Sequence, residues 1–197
     1  MKALDVAELP EYGFGHRSLL WWGTMCMMAI EGTMFALVIA TYIYLKGRSP
    51  HWPPAVAPPR LLWGTLNVII LLASCVPNQL AKKAAEKFDL AGTQLWMAAC
   101  MVFALAFNVV RFLEFGALNV RWDTTAYGSV VWLNMGLHTT HLITDAADTV
   151  VLLVLMFREP IKGKNYSDVY DNGAYWYFVV LAWLPIYFVI YWAPRIH

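Results

Sequence analysis

"LLWWGTMCMMAIEGTMFALVIATYIYL", residues 19–45, decides the fold: it holds one charged side chain, Glu31, in an otherwise apolar run. About twenty such residues are enough for a helix to cross roughly 30 Å of hydrocarbon. Inside lipid the backbone must satisfy its own hydrogen bonds, so the run reads as a transmembrane helix. Glu31 lies near its middle, where a bare carboxylate costs about 3 kcal/mol. Burial favours the neutral acid, which can donate a hydrogen bond to a neighbouring helix or to water in a cleft. The side chain is then either helix–helix glue or part of a proton, water or lipid-lined path.

Four further runs follow outward from it, at residues 61–80, 91–115, 127–157 and 174–192. The links are short and polar or Pro-rich: "KGRSPHWPPAVAPPR", "AKKAAEKFD", "GALNVRWDTT" and "REPIKGKNYSDVYDN". None is long enough for a second domain, so residues 1–197 read as one all-α, polytopic membrane domain of five helices in a bundle. The composition agrees, with 60% hydrophobic residues, 14% charged, and ten each of Trp, Tyr and Phe. A soluble domain carries about a quarter charged residues, and aromatic side chains gather at membrane interfaces. A net charge of +1 without a basic patch argues against nucleic-acid binding. Cys26, Cys75 and Cys100 fall in separate runs with no CxxC, and read as small apolar residues. The first eighteen residues mix acids and bases, and the run after them is too long for a signal h-region, so the first helix is expected to stay in the membrane. Pro77 and Pro185 fall inside spans and predict local kinks.

Orientation follows from Lys and Arg. One side carries eight (Lys2, Arg17, Lys82, Lys83, Lys87, Arg158, Lys162, Lys164) and the other five (Lys46, Arg48, Arg60, Arg121, Arg195). The bias predicts an N-terminus inside and a C-terminus outside.

Ionisable residues inside spans are few, and such groups usually face the protein interior. Arg111 and Glu114, in "RFLE", are three apart and share a helix face. Arg111 is placed to reach the headgroups by snorkelling, so an intrahelical pair that also holds a lipid phosphate is expected. "HTTHLITDAAD" sets His138, His141, Asp145 and Asp148 along one stripe. Four ligands spread over about 15 Å of one helix cannot meet at one ion. At most His138 and His141 could, with Glu114 from another helix. An interhelical hydrogen-bond network is the stronger reading, and no metal is assigned.

The same histidines limit the chemistry. A haem clamped from both faces needs axial ligands on opposing helices, and the two span histidines share one. His16, His51 and His197 lie outside the spans, and no cysteine pair could hold copper. A chain so poor in ligands is expected to carry no electron and to have no catalytic residues of its own.

The motifs together resemble subunit III of the haem–copper cytochrome c oxidases. "AIEGTMF" is similar to the family's buried-glutamate helix, and "HWPP" to the loop that follows. "LNVIILLAS" resembles the next helix, "RFLEF" places Glu114 on the family's acid, and "YGSVVWLNMGLHTTH" carries Tyr127, Gly128, Ser129, Gly136, His138 and His141 of its Tyr-Gly-Ser…His-x-x-His segment. "YWYFVVLAWLPIYFVIYW" resembles the closing helix. Tyr177, Val180 and Asp145 stand where His, Asp and Gly are frequent. Five helices resemble the short bacterial form, which lacks the first pair. The resemblance implies a non-redox subunit packed against catalytic subunit I, with subunit II in the same complex. It also implies phospholipid in a cleft of the bundle, and a supporting part in proton uptake and in the durability of the catalytic subunit. Glu31, Arg111, Glu114, His138, His141 and Asp145 would then be lipid-cleft or proton-linked residues. Accessory subunits of quinol oxidases or nitric oxide reductases share the pattern. A free-standing metal-dependent membrane enzyme and a small proton-coupled transporter are the readings from other classes.

Overall fold

Residues 12–54, 56–158 and 161–196 are described by a computed structural model. Lys2, counted in the orientation argument, and His197 lie outside the described residues. Five helices carry the chain: α1 Leu19–Arg48, α2 Leu61–Glu86, α3 Leu90–Gly116, α4 Ala126–Met156 and α5 Gly163–Tyr187. All five are long and apolar enough to cross a membrane, and no strand occurs among the described residues.

Side chains fix where three of the helices begin. The first backbone N–H groups of a helix lack intrahelical partners. Ser18, Asp89 and Thr125 accept from the N–H of Trp21, Gly92 and Gly128, capping α1, α3 and α4. Gly128 is needed at its position, since a Cβ there would run into the Arg121 carbonyl.

α2, α3, α4 and α5 form a closed ring in which each packs on the next and α5 returns to α2. α1 lies outside this ring, in the groove between α4 and α5. It is apolar on every side and buries only Phe35 and Tyr42 completely. Leu19 is 89% exposed and Ile30 70%. A helix greasy all round with so little of it covered is one solvated by lipid. The ring interior is filled by Phe107, Met135, Leu142, Val179, Trp183 and Ile186.

The helices overrun the predicted spans. α2 continues to Glu86, six residues past the end of its apolar run. α5 starts at Gly163, within what reads from sequence as a link, and the Asn165 side chain accepts from the Lys162 N–H at 3.2 Å to close its first turn. Hydropathy marks only the part of a helix that meets lipid, and "NYSDVYDN" turns its polar groups toward protein. Pro77 and Pro185 both lie inside helices. Beyond Pro185 the chain widens into a π-helical turn over Phe188–Trp192, one way in which a helix accommodates a lost hydrogen bond.

Candidate functional site

The His–Asp stripe of α4 deals its members into three separate layers across the bundle. A helix turns about 100° per residue, so the ten residues from His138 to Asp148 bring the second side chain roughly 80° off the first. His138 is fully buried, while Asp148 is exposed.

The innermost layer is built on Arg111 and Glu114. Arg111 Nη1 pairs with Glu114 Oε2 at 2.8 Å, and both residues are 1% exposed. The intrahelical pair is therefore present, but the expected snorkelling is not. Arg111 turns inward, its guanidinium 3.8 Å from the Trp183 ring centre and 4.8 Å from that of Phe107. The aromatic faces offer the cation a partner in the interior that the headgroups would otherwise supply, so this arginine is not placed to hold a lipid phosphate. Glu114 also accepts from Asn67 of α2 and from the hydroxyl of Tyr191 beyond α5. Gly64 makes room for Tyr191, because a Cβ there would strike its ring. His138 closes the layer, with Nδ1 3.4 Å from Arg111 Nη2 and Nε2 2.9 Å from the Val179 carbonyl. Four ring helices thus meet on one buried ion pair.

The second layer holds Glu31. The Tyr175 hydroxyl donates to Oε2 at 2.9 Å, and His141 Nε2 lies 3.5 Å from Oε1. The acid of α1 therefore contacts both helices against which α1 packs. Phe35 stands beside both histidines, its ring centre 6.2 Å from His138 and 4.9 Å from His141. His141 Nδ1 is spent on the Leu137 carbonyl at 2.7 Å. All four imidazole nitrogens of the stripe thus have protein partners. Among the described residues, His138, His141 and Glu114 do not come together as a cluster of three.

The third layer surrounds Asp145. Asn172 Nδ2 donates to Asp145 Oδ1 at 3.2 Å and to Asp148 Oδ2 at 3.3 Å, and Thr149 donates to Asn172 Oδ1 at 3.3 Å. Asp145, Asp148 and Asn172 line an open vestibule of about 480 Å³ between α1, α4 and α5, together with Lys164, Asp168, Asp171 and Tyr175. Tyr175 joins this vestibule to Glu31. Sequence reasoning missed Asn67, Tyr191, Asp168, Asp171, Asn172 and Tyr175. One signal for the last four was available: residues 168, 171, 172 and 175 repeat at a helical period that runs from the last link into the fifth span.

Comparison with known proteins agrees with this architecture. The family model described as cytochrome c oxidase subunit III matches residues 17–194. The cytochrome c oxidase subunit 3 of Alkalihalophilus pseudofirmus is 27% identical over 165 residues, which is 82% of this chain and 80% of the relative. The probable cytochrome c oxidase subunit 3 of Mycobacterium tuberculosis is 26% identical over 173 residues, 86% of this chain and 85% of the relative. That of Bacillus sp. strain PS3 is 26% identical over 167 residues, 82% and 79%.

Proposed function

Because the chain belongs to the cytochrome c oxidase subunit III family, we propose that it is a non-redox accessory subunit of a terminal respiratory oxidase. In that role it packs against the haem–copper catalytic subunit, stabilises it, and supports its proton uptake. The observation that carries the reading is the family match, which runs through all five helices from residue 17 to 194. The buried polar groups support it. Arg111, Glu114, His138 and His141 are each engaged by neighbouring protein groups, an arrangement that ties helices together and occupies both imidazoles that lie within the spans.

The lipid-facing exterior of α1, with its polar layer turned toward α4 and α5, suits a protein that seats phospholipid beside a larger partner. Extraction in a mild detergent, followed by identification of what copurifies, tests the assignment. A haem–copper catalytic subunit and its subunit II are expected. Recovery of a nitric oxide reductase instead, or of the chain alone in an active metal-loaded form, would overturn it.

The orientation proposed is N-terminus cytoplasmic and C-terminus periplasmic, in the inner membrane. Cysteines at Lys83 or Lys164 should then be shielded from a membrane-impermeant reagent outside the cell, and cysteines at Arg48 or Arg121 should react. The reverse pattern would invert the topology.

A further inference from the structure

We propose that an apolar groove where α2 begins, α3 ends and α4 begins seats an acyl chain of a phospholipid whose headgroup is negatively charged. The groove has a volume of about 800 Å³ and is lined by Trp63 of α2, Phe112, Phe115 and Gly116 of α3, and Trp132 of α4. None of these residues borders the vestibule between α1, α4 and α5. The inference rests on the reading that this chain seats phospholipid beside a larger partner, and it assigns that lipid a place and a headgroup class.

The walls are held from behind. The Trp132 indole donates to the Val120 carbonyl at 2.8 Å, and its ring centre lies 5.1 Å from that of Phe115. The floor is open at Gly116, where an added Cβ would meet nothing within 4 Å beyond its own helix backbone. Trp63 is the third residue of α2, and tryptophan favours the membrane interface, so the groove starts at headgroup level. Extent decides between a lipid chain and a second helix. Residues 112 to 117 of α3 cover about 7.5 Å of axis, whereas a crossing helix runs beside its neighbour for roughly 30 Å. Deeper along α3 the exposed Val102, Leu105 and Val109 lie outside the groove.

Charge sets the headgroup. This end of the bundle carries Lys46, Arg48, Arg60, Arg121 and Arg195 against a single acid, Asp123. Lys46 donates to the Ala193 carbonyl, Arg48 to the Tyr44 hydroxyl and Arg195 to the Pro59 carbonyl, and Arg121 pairs with Asp123. Arg60 is exposed at the N-cap of α2, three residues before Trp63, which sets it about one turn closer to the water. Arginine grips phosphate through paired N–H donors, and a basic side chain near the bilayer surface favours anionic lipid. The chain would lie between Trp63 and Trp132, with its phosphate toward Arg60.

The test uses the full-length chain, extracted with its natural partners and returned to vesicles of phosphatidylethanolamine and phosphatidylglycerol. A phosphatidylglycerol probe with a photoactivatable acyl chain should label the peptide that holds residues 112–117. Gly116→Phe, whose new side chain enters open space, should remove most of that labelling. Gly23→Phe, at a glycine of α1 that is equally open, should leave it unchanged. Arg60→Gln should lower labelling by this probe about fivefold, the effect of one surface charge on an anionic lipid. A phosphatidylcholine probe should label the wild type and Arg60→Gln alike. Equal labelling of the wild type and Gly116→Phe would overturn the site, and an equal loss with both probes in Arg60→Gln would overturn the headgroup class. Release of the catalytic subunit by Gly116→Phe, with labelling unaltered, would overturn it in favour of a partner helix in the groove. The readout is lipid attached to this chain rather than turnover, so its failure would leave the accessory-subunit reading standing.

Discussion

Glu114→Ala should destabilise the folded chain by about 3–5 kcal/mol, the usual consequence of removing one partner of a buried ion pair. The substitution leaves the Arg111 guanidinium 1% exposed with no counter-ion, and its Nε already lacks a hydrogen-bond partner. Asn67 and Tyr191 lose their shared acceptor as well. The stacked rings of Trp183 and Phe107 offset part of the loss, on the order of 1–2 kcal/mol for desolvated cation–π contacts. They do not replace a carboxylate.

The control is the double variant Arg111→Met with Glu114→Leu. A buried pair exchanged for apolar groups of similar volume is often neutral in stability, so the double variant should recover most of what the single one loses. Denaturation in mixed detergent, followed by tryptophan fluorescence, reports both, because Trp183 sits against the guanidinium. If Glu114→Ala and the double variant melt together, close to the wild type, the ion pair is not what joins the four ring helices.

How much of this was legible beforehand depends on the kind of force involved. The five crossings could be read because lipid imposes a length and a composition on any helix that meets it. The start of α5 could not be read that way, because Asp171 is buried in the bundle and Asn172 bonds to α4, and hydropathy counts such polar residues as loop. Arg111 was misjudged for a related reason. Snorkelling is the expected behaviour of an arginine near a helix end when only its own helix is considered. The aromatic box that keeps it inside comes from Trp183, seventy-two positions away. The stripe on α4 was correctly seen as a set of interhelical contacts. Its division into three layers, however, depends on which neighbours face each turn, and Tyr175, Asn172 and Val179 all belong to α5. The partners of Glu31 were hidden likewise: the acid itself was conspicuous, but its hydrogen bonds run to α4 and α5 across more than a hundred residues.

Removing this subunit from its complex should leave the haem and copper spectra essentially unchanged while it impairs sustained turnover. The first half follows from the imidazoles. His138 and His141 are both committed to Arg111, the Val179 and Leu137 carbonyls, and Glu31, so electrons and oxygen should reach the partner's redox centres without help from this chain. The second half follows from where its polar groups lie. The acidic vestibule opens beside Lys164 at the start of α5, on the side proposed to be cytoplasmic, where protons would be taken up. Proton supply limits an oxidase most when protons are scarce, so the deficit should be small at neutral pH and should grow several-fold at alkaline pH. Activity should also decay over successive turnovers as the exposed flank of the catalytic subunit loses its lipid and its cover. Glu31→Ala should give a milder form of the decay, because it breaks the contacts to Tyr175 and His141 that seat α1 while the four-helix ring stays intact. Oxygen consumption by the purified complex, with and without the subunit and at both pH values, separates the outcomes. Immediate loss of a haem or copper signal on removal would mean that this chain holds a redox centre after all. Unaltered rates and lifetimes at both pH values would reduce its role to assembly, since neither proton supply nor protection of the catalytic subunit would then depend on it.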